Sequence, residues 1–510
     1  MSKGKIAMIG AGSVVFSQTL LNDMLATPAL DGFEYALMSR TMPKIERLCG
    51  YSRELIKKHN LKSSIYATCD RRDALKGADY VILIFGIGGR PAQKIDREVP
   101  LKYGVDQGVG DSIGPGGVFR FLRTVGVMRG IDDDMRELCP NAYVLNYVNP
   151  MGAICTYLGR ATSMNAVGLC HGVQTTIELL AGYAGVPESE VDFTAAGINH
   201  MAWFLKLERH GVDLYPTLLS NIEKPAYYMS EKVRGEVMRH CGYFMTESSR
   251  HLSEYLPWFR KNEMALNLYC RDTESGAGAD DKGAGATPAG SNAALAGSNA
   301  TQAGSNAAPG GSNAAPVGSN GDAIAKFDRG DILAFNSGEL EPRSKEYCTY
   351  IIEALETGKP FKFNGNVMNR GYIENLPATA CVEVPIYADR QGFHPVRIGA
   401  LPLPLAAMNQ SNLWVQELMV EAAIRQDPEY VFWAVAMDPL TSAVLTLGQI
   451  REMVAEMLEA EAEWLPEFHG KTLKKTPDIS IPPGTAPVPV PLDPALAIRR
   501  RFMQLSGQIK

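Results

Sequence analysis

The sequence predicts an α/β protein: a Rossmann-like, doubly wound parallel sheet followed by a second, α+β substrate domain. The chain opens with an apolar run, Ile6-Ala7-Met8-Ile9, that enters Gly10-Ala11-Gly12-Ser13 and then an apolar-periodic stretch from Val14 to Leu25, the pattern of strand, tight turn and helix. Further β-rich runs alternate with helical ones, which is the signature of a parallel sheet built from crossover units. After about residue 200 this alternation gives way to longer helical patterns.

The strands expected after the first are 33–38, 78–85 and 142–147, separated by helical patterns at 42–59 and 124–138. In such a sheet ligands bind beyond the carboxyl ends of the strands, where Gly10 to Ser13, Gly86 to Gly89 and Asn146 to Pro150 fall. Residues 1–195 are therefore expected to form a dinucleotide-binding domain and 196–475 a substrate and metal domain. Within the latter, 380–387 and 396–401 read as strands. A final helix is expected over 442–464, with Val444, Leu447, Ile450, Val454 and Leu458 as its apolar stripe. Gly290-Ser291-Asn292-Ala293 recurs at Gly297, Gly304, Gly311 and Gly318 inside a tract spanning about 275–321. Its Gly, Ser, Asn, Ala and Pro positions offer no apolar seam, so a flexible, disordered linker is expected there. Residues 476–510 form a Pro-rich tail, extended up to Pro494, with a basic cluster at Arg499-Arg500-Arg501.

With 510 residues, 45% hydrophobic and 21% charged, the chain is long enough for several domains and matches ordinary globular composition. Lys plus Arg total 50 against 56 for Asp plus Glu, and the net charge of −6 supplies no attraction for a phosphate backbone, so nucleic acid is not an expected partner. No apolar run approaches the ~18 residues of a membrane span, and no signal-peptide pattern opens the chain, so a soluble, cytoplasmic protein is expected. Nine scattered cysteines without CxxC spacing read as reduced thiols.

Gly10-x-Gly12 after a first strand suits a dinucleotide: Gly10 makes the turn, Gly12 lets backbone approach the pyrophosphate, and Ser13 opens the helix whose N-terminus faces the charge. Val15 stands where a third glycine is usual, which leaves a plain strand-to-helix turn as the alternative. Gly88 lies in the next such loop. At the end of the second strand, where an acidic residue commonly takes the ribose hydroxyls, the chain carries Met38-Ser39-Arg40. Ser39 and Arg40 suit a 2′-phosphate, so NADP stands beside NAD as the candidate cofactor. Cys170-His171-Gly172 and, thirty residues later, His200 are too few for a structural zinc site. A Cys/His pair does suit a catalytic metal whose other positions are filled by substrate oxygens and water, the alternative being two buried structural residues. Asp111 sits in a glycine-dense loop, 110–117, ahead of Arg120 and Arg123, and a plain turn is its alternative. The segments 246–249 and 254–259 read equally as core or pocket wall; a tyrosine there acts as a base only beside a metal or cation.

Taken together, these segments resemble the NAD- and manganese-dependent glycosidases of glycoside hydrolase family 4, most of all their α-galactosidase (melibiase) branch. The resemblance runs through 9–13, 110–117, Asn146-Tyr147-Val148-Asn149-Pro150-Met151, 168–171, Gly197-Ile198-Asn199-His200-Met201-Ala202-Trp203, 246–249, Glu254-Tyr255, 375–377, 381–384 and Met437-Asp438-Pro439. It implies a route that the two-carboxylate glycosidases do not use. In that route tightly held NAD⁺ oxidises C3 of the sugar, a base removes the acidified C2 proton beside Mn²⁺, and the aglycone leaves C1. Water then adds, and the hydride returns to C3. By resemblance, Cys170 and His200 are metal ligands, Asn149 contacts the sugar hydroxyls, Tyr255 is the C2 base, and His171 borders the sugar and donates a proton to the leaving oxygen. Asp111 is an acidic residue of the site, serving the base or the metal. A homo-oligomer, dimer or tetramer, is also implied.

Three departures from the family pattern bear on function. Ser39 replaces an acidic residue, Cys170-His171-Gly172 differs from the Cys-His-Ser of melibiases, and the repeat tract replaces much of the segment between Tyr255 and Arg343-Ser344-Lys345-Glu346. The first expectation is hydrolysis of small unphosphorylated α-galactosides such as melibiose. The alternatives are an α-glucosidase, α-glucuronidase or α-galacturonidase of the same family, a malate- or lactate-type NAD(P) dehydrogenase, and a catalytically silent nucleotide sensor or scaffold.

Overall fold

A computed structural model describes residues 3–271, 338–477, 479–489 and 494–509, so the repeat tract lies outside the described residues. Twelve strands form one sheet: β1 (Lys5–Ile9), β2 (Glu34–Met38), β3 (Ser64–Thr68), β4 (Tyr80–Leu83), β5 (Tyr143–Asn146), β6 (Asn165–Gly168), β7 (Val191–Ile198), β8 (Met201–Arg209), β9 (Val212–Asp213), β10 (Phe361–Met368), β11 (Cys381–Asp389) and β12 (Gly392–Pro395). Their order is β3-β2-β1-β4-β5-β6-β10-β11-β7-β8-β9, with β12 on β11. The first six are parallel, and β10, β11, β7, β8, β9 and β12 pair antiparallel. Every residue of β1 and β4 is buried, as expected of strands covered by helices on both faces.

In the parallel half β1, β2, β4 and β5 agree with the sequence reading, with ends shifted by up to two residues, while β3 and β6 are additional strands. The helix expected over 124–138 starts earlier and spans Gly114–Leu138. Glycines hid its first turns: a Cβ on Gly116 would stand 2.5 Å from the Gly110 carbonyl oxygen, and one on Gly117 would stand 2.5 Å from the Ser112 carbonyl carbon. These glycines permit close approach of backbone rather than breaking the helix.

Two expectations are corrected in the second half. Residues 396–401 form no strand; the strand is β12, and beyond Pro395 the chain turns through Gly399 at φ +86°, which bridges to Ile373. The helix expected over 442–464 is broken into Pro439–Val444 and Leu447–Ala460, followed by a 3-10 turn at Ala462–Trp464. Thr446 and Gln449 form a capping box that starts the second helix, so Leu447 of the expected stripe is exposed while Ile450 and Val454 face the core. The tail holds a helix, Pro494–Leu505, which carries Arg499-Arg500-Arg501; from 474 to 489 the described residues hold neither helix nor strand.

β7 runs through residue 195 without interruption, and the described residues up to Leu473 form one compact unit, with those from Lys474 onward as a second. Among the described residues no helix is long and apolar enough to cross a membrane.

Candidate active site

The glycine turn lies at the carboxyl end of β1. Gly10 adopts φ +97°, and the amides of Gly10 and Ala11 both donate to the Met38 carbonyl, at 2.9 and 3.0 Å. A Cβ on Gly10 would strike Phe85 Cβ at 2.6 Å, and one on Gly12 would stand 2.7 Å from Ser39 Oγ. The turn is therefore wedged between the ends of β2 and β4. Ser13 caps the helix Val14–Leu25 by position only, since its side chain accepts no amide, so the first-turn donors are left for a ligand. Gly88, at φ +80°, is the N-cap of the helix Gly89–Lys102, and a Cβ there would stand 2.4 Å from Ala92 Cβ and 3.3 Å from the Trp464 ring. Close-packed glycines ahead of an open helix N-terminus fit a dinucleotide pyrophosphate. Arg40 is exposed just beyond Ser39.

Cys170 and His200 converge. Cys170 follows β6, and His200 occupies the turn between β7 and β8, a hairpin that the sequence reading did not anticipate. The Cys170 Sγ lies 3.4 Å from His200 Nδ1. Glu247, unassigned from sequence, completes the group: its Oε2 lies 3.0 Å from His200 Nδ1 and 3.8 Å from Cys170 Sγ. The three ligand atoms lie within 4.8 Å of one another. Gly172 makes room, because a Cβ there would meet Glu247 Oε2 at 2.8 Å. Burial and the His200 cation oppose each other at the Cys170 thiol, with a net upward push, while Cys170 and Glu247 outweigh burial at His200 and raise it well above its usual value. One thiol, one imidazole and one carboxylate at this spacing could hold a metal ion with further positions open, and the donor set fits a divalent transition metal.

The other expected residues gather around this group. Asp111 Oδ2 lies 3.2 Å from Arg120 Nη1 and 3.5 Å from Asn149 Nδ2, and Oδ1 accepts from Ser112 Oγ at 2.8 Å. Burial opposes its ionisation, but Arg120, His251 and His200 together hold Asp111 well below the usual carboxylate range. Its loop is held by Glu254, which accepts the amides of Val109 and Gly110. His251, also missed from sequence, links the halves: Nε2 lies 3.8 Å from Asp111 Oδ1, Nδ1 lies 3.7 Å from Glu247 Oε1, and its ring stands 5.1 Å from that of His200. Tyr255 is 1% exposed and its hydroxyl has no hydrogen-bond partner among the described residues, although Ser112 and His200 are near enough to favour the phenolate; burial outweighs them and raises the phenol. His171 turns to Glu346, Nδ1 to Oε1 2.9 Å, with its ring beside Tyr147 and Phe16. Burial works against its charge, and Glu346 more than compensates. Glu247 and His251 stand four residues apart, and carboxylates and histidines at that spacing are too common to identify a site unaided.

Residues 5–186 match the model of the family 4 glycosyl hydrolases, and 195–441 match that family's C-terminal domain. The chain belongs to glycosyl hydrolase family 4. It is 37% identical over 475 residues to an α-galactosidase of Bacillus subtilis (strain 168), covering 91% of this chain and 99% of that one. It is 35% identical over 471 residues to an α-galactosidase of Rhizobium meliloti (strain 1021), covering 92% and 90%. Among solved structures it resembles the 6-phospho-β-glucosidase of Thermotoga maritima with manganese, NAD⁺ and glucose-6-phosphate, at TM-score 0.69 and 19% identity, covering 90% of this chain and 99% of that one. The chain is thus a mixed α/β glycosidase that shares its fold with an enzyme crystallised with manganese and NAD⁺.

Proposed function

We propose that this family 4 glycosidase is an α-galactosidase acting on small unphosphorylated α-galactosides such as melibiose, with a nicotinamide dinucleotide and Mn²⁺ as resident cofactors. The observation that carries the reading is the Cys170–His200–Glu247 ligand set in a protein more than a third identical to α-galactosidases along nearly its whole length. When bound, the nicotinamide supplies reversible oxidation at C3 of the sugar, and the metal supplies positive charge beside the oxygens at C2 and C3.

The protein's own residues do the rest. Cys170, His200 and Glu247 hold the metal and leave positions open for sugar hydroxyls. Asn149, next to Asp111, contacts those hydroxyls, and Asp111, clamped by Arg120, holds His251 against Glu247. Tyr255 presents an unpartnered Oη that takes the C2 proton. His171, held by Glu346, delivers a proton to the glycosidic oxygen as its bond to C1 breaks. The turn from Gly10 to Ser13, with Gly88, grips the dinucleotide. A homo-oligomer is part of the same proposal.

The test is release of p-nitrophenol from p-nitrophenyl α-galactoside, with the matching glucoside and glucuronide, in D₂O with Mn²⁺, a thiol reductant and NAD⁺ or NADP⁺. The expected result is cleavage of the galactoside that needs both metal and nucleotide and leaves deuterium at C2. Cleavage without nucleotide would refute the mechanism, and faster cleavage of the glucoside or glucuronide would refute the sugar assignment.

A further inference from the structure

The end of β2 is the position that meets the adenosine ribose in a dinucleotide-binding sheet. Here it is placed by contact as well as by topology: Ser39 Oγ lies 2.7 Å from where a Cβ on Gly12 would stand, so Ser39 abuts the pyrophosphate turn itself. No carboxylate occupies this strand end. Met38 is followed by Ser39, Arg40 and Thr41, and the helix that begins at Met42 has no acidic residue in its first turn. A ribose 2′-hydroxyl therefore finds no carboxylate acceptor there.

The charges available at this edge point the same way. At the corresponding end of β3, Arg71 and Arg72 are both committed to Asp134, at 2.5 and 2.7 Å, and Asp70 caps its own helix by accepting the Arg72 amide at 2.9 Å. Arg40 is exposed and forms no ion pair among the described residues, so its guanidinium is free to turn toward a ligand. The Ser39 hydroxyl, engaged among the described residues only by the Thr41 amide at 3.4 Å, can donate its own proton to a phosphate oxygen. A guanidinium beside a hydroxyl donor is the chemistry that recognises a phosphate dianion.

We propose that Ser39 and Arg40 form a 2′-phosphate site and that this enzyme selects NADP(H) over NAD(H). The inference rests on the reading that the glycine turn holds a nicotinamide dinucleotide. It separates this chain from the Thermotoga maritima structure, which was crystallised with NAD⁺.

Calorimetric titration of nucleotide-free protein with NADP⁺ and with NAD⁺, at one ionic strength, tests the proposal without any turnover. NADP⁺ should bind at least about tenfold more tightly. Arg40→Ala should remove most of that advantage while leaving NAD⁺ affinity within about twofold, and Ser39→Asp should reverse the preference by repelling the phosphate and accepting a ribose hydroxyl. Arg40 is exposed and Ser39 half-buried, and circular dichroism of the variants checks that they fold. Equal or tighter binding of NAD⁺ by the unaltered protein would overturn the 2′-phosphate site and leave the dinucleotide reading intact. Failure of both nucleotides to bind would overturn the two together.

Discussion

Replacing Asp438 with asparagine should change how stability depends on pH, by an amount that the structure sets. Asp438 is 0% exposed at the N-terminus of the helix Pro439–Val444. Its Oδ2 accepts the amide and hydroxyl of Thr441, at 2.8 and 2.7 Å, and its Oδ1 has no partner. Burial pushes the carboxyl from 3.8 up to about 6 against the pull of the Thr441 donors, and the nearby Glu254 adds to the rise. A folded pKa above the unfolded one means that the folded chain holds the proton more tightly. The associated stability is complete below pH 3.8 and is lost as the pH rises through about 6. A gap of about 2 units corresponds to about 3 kcal/mol in all, of which about 1.4 kcal/mol falls between pH 5 and pH 8. Asparagine cannot ionise, and its carbonyl oxygen can still accept the Thr441 amide. The stability of Asp438→Asn relative to the unaltered protein should therefore rise by about 1.4 kcal/mol from pH 5 to pH 8. Equilibrium urea unfolding, followed by tryptophan fluorescence across that range, measures the difference. Parallel stability curves would show that Asp438 is already ionised at pH 5 and that the burial argument is wrong.

Glu247→Gln should weaken Mn²⁺ binding at least about tenfold by calorimetry, because it removes the only anionic oxygen of the ligand set. Unchanged affinity would remove Glu247 from the site. Tyr255→Phe deletes a buried hydroxyl without a partner, so thermal stability should be kept or improved while galactoside turnover falls at least about a hundredfold. A variant that retains activity would end the assignment of Tyr255 as base. Arg123 is buried between Asp96 and Glu461, 2.5 and 2.8 Å away, and Arg123→Ala would leave two buried carboxylates without their cation. The expected loss is about 3–5 kcal/mol, read as a lowered urea midpoint, and a loss below about 1 kcal/mol would mean that the site takes in water.

The parallel half of the sheet was legible because β1, β2 and β4 are apolar runs buried on both faces. β3 and β6 escaped notice for the opposite reason: each starts with an exposed polar residue, Ser64 and Asn165, and neither builds a run long enough to stand out. The β7–β8 hairpin pairs both strands from end to end, yet its turn end carries Gly197, Asn199 and His200, residue types of a chemical motif rather than of a strand, so local sequence does not mark it. At the site, Cys170 and His200 are unusual enough residue types to be suspected from the sequence. Glu247 approaches Cys170 across a separation of 77 residues, and nothing local distinguishes it from other surface-type carboxylates before the chain folds. Glu346 and His251 are of the same kind, since their partners His171 and Asp111 are supplied by distant segments.

The glycine turn and Cys170 issue from the same edge of one continuous sheet, at the ends of β1 and β6, with β4 and β5 between them. Three strand spacings of about 4.8 Å, on the order of 14 Å, therefore set the lateral interval between the glycine turn and Cys170, the proposed grips of dinucleotide and metal. That interval is ruled by backbone hydrogen bonds and is indifferent to the length of any loop. A change in the length of the stretch between residues 271 and 338, which carries the seven-residue repeats, would leave that interval as the strand pairing sets it.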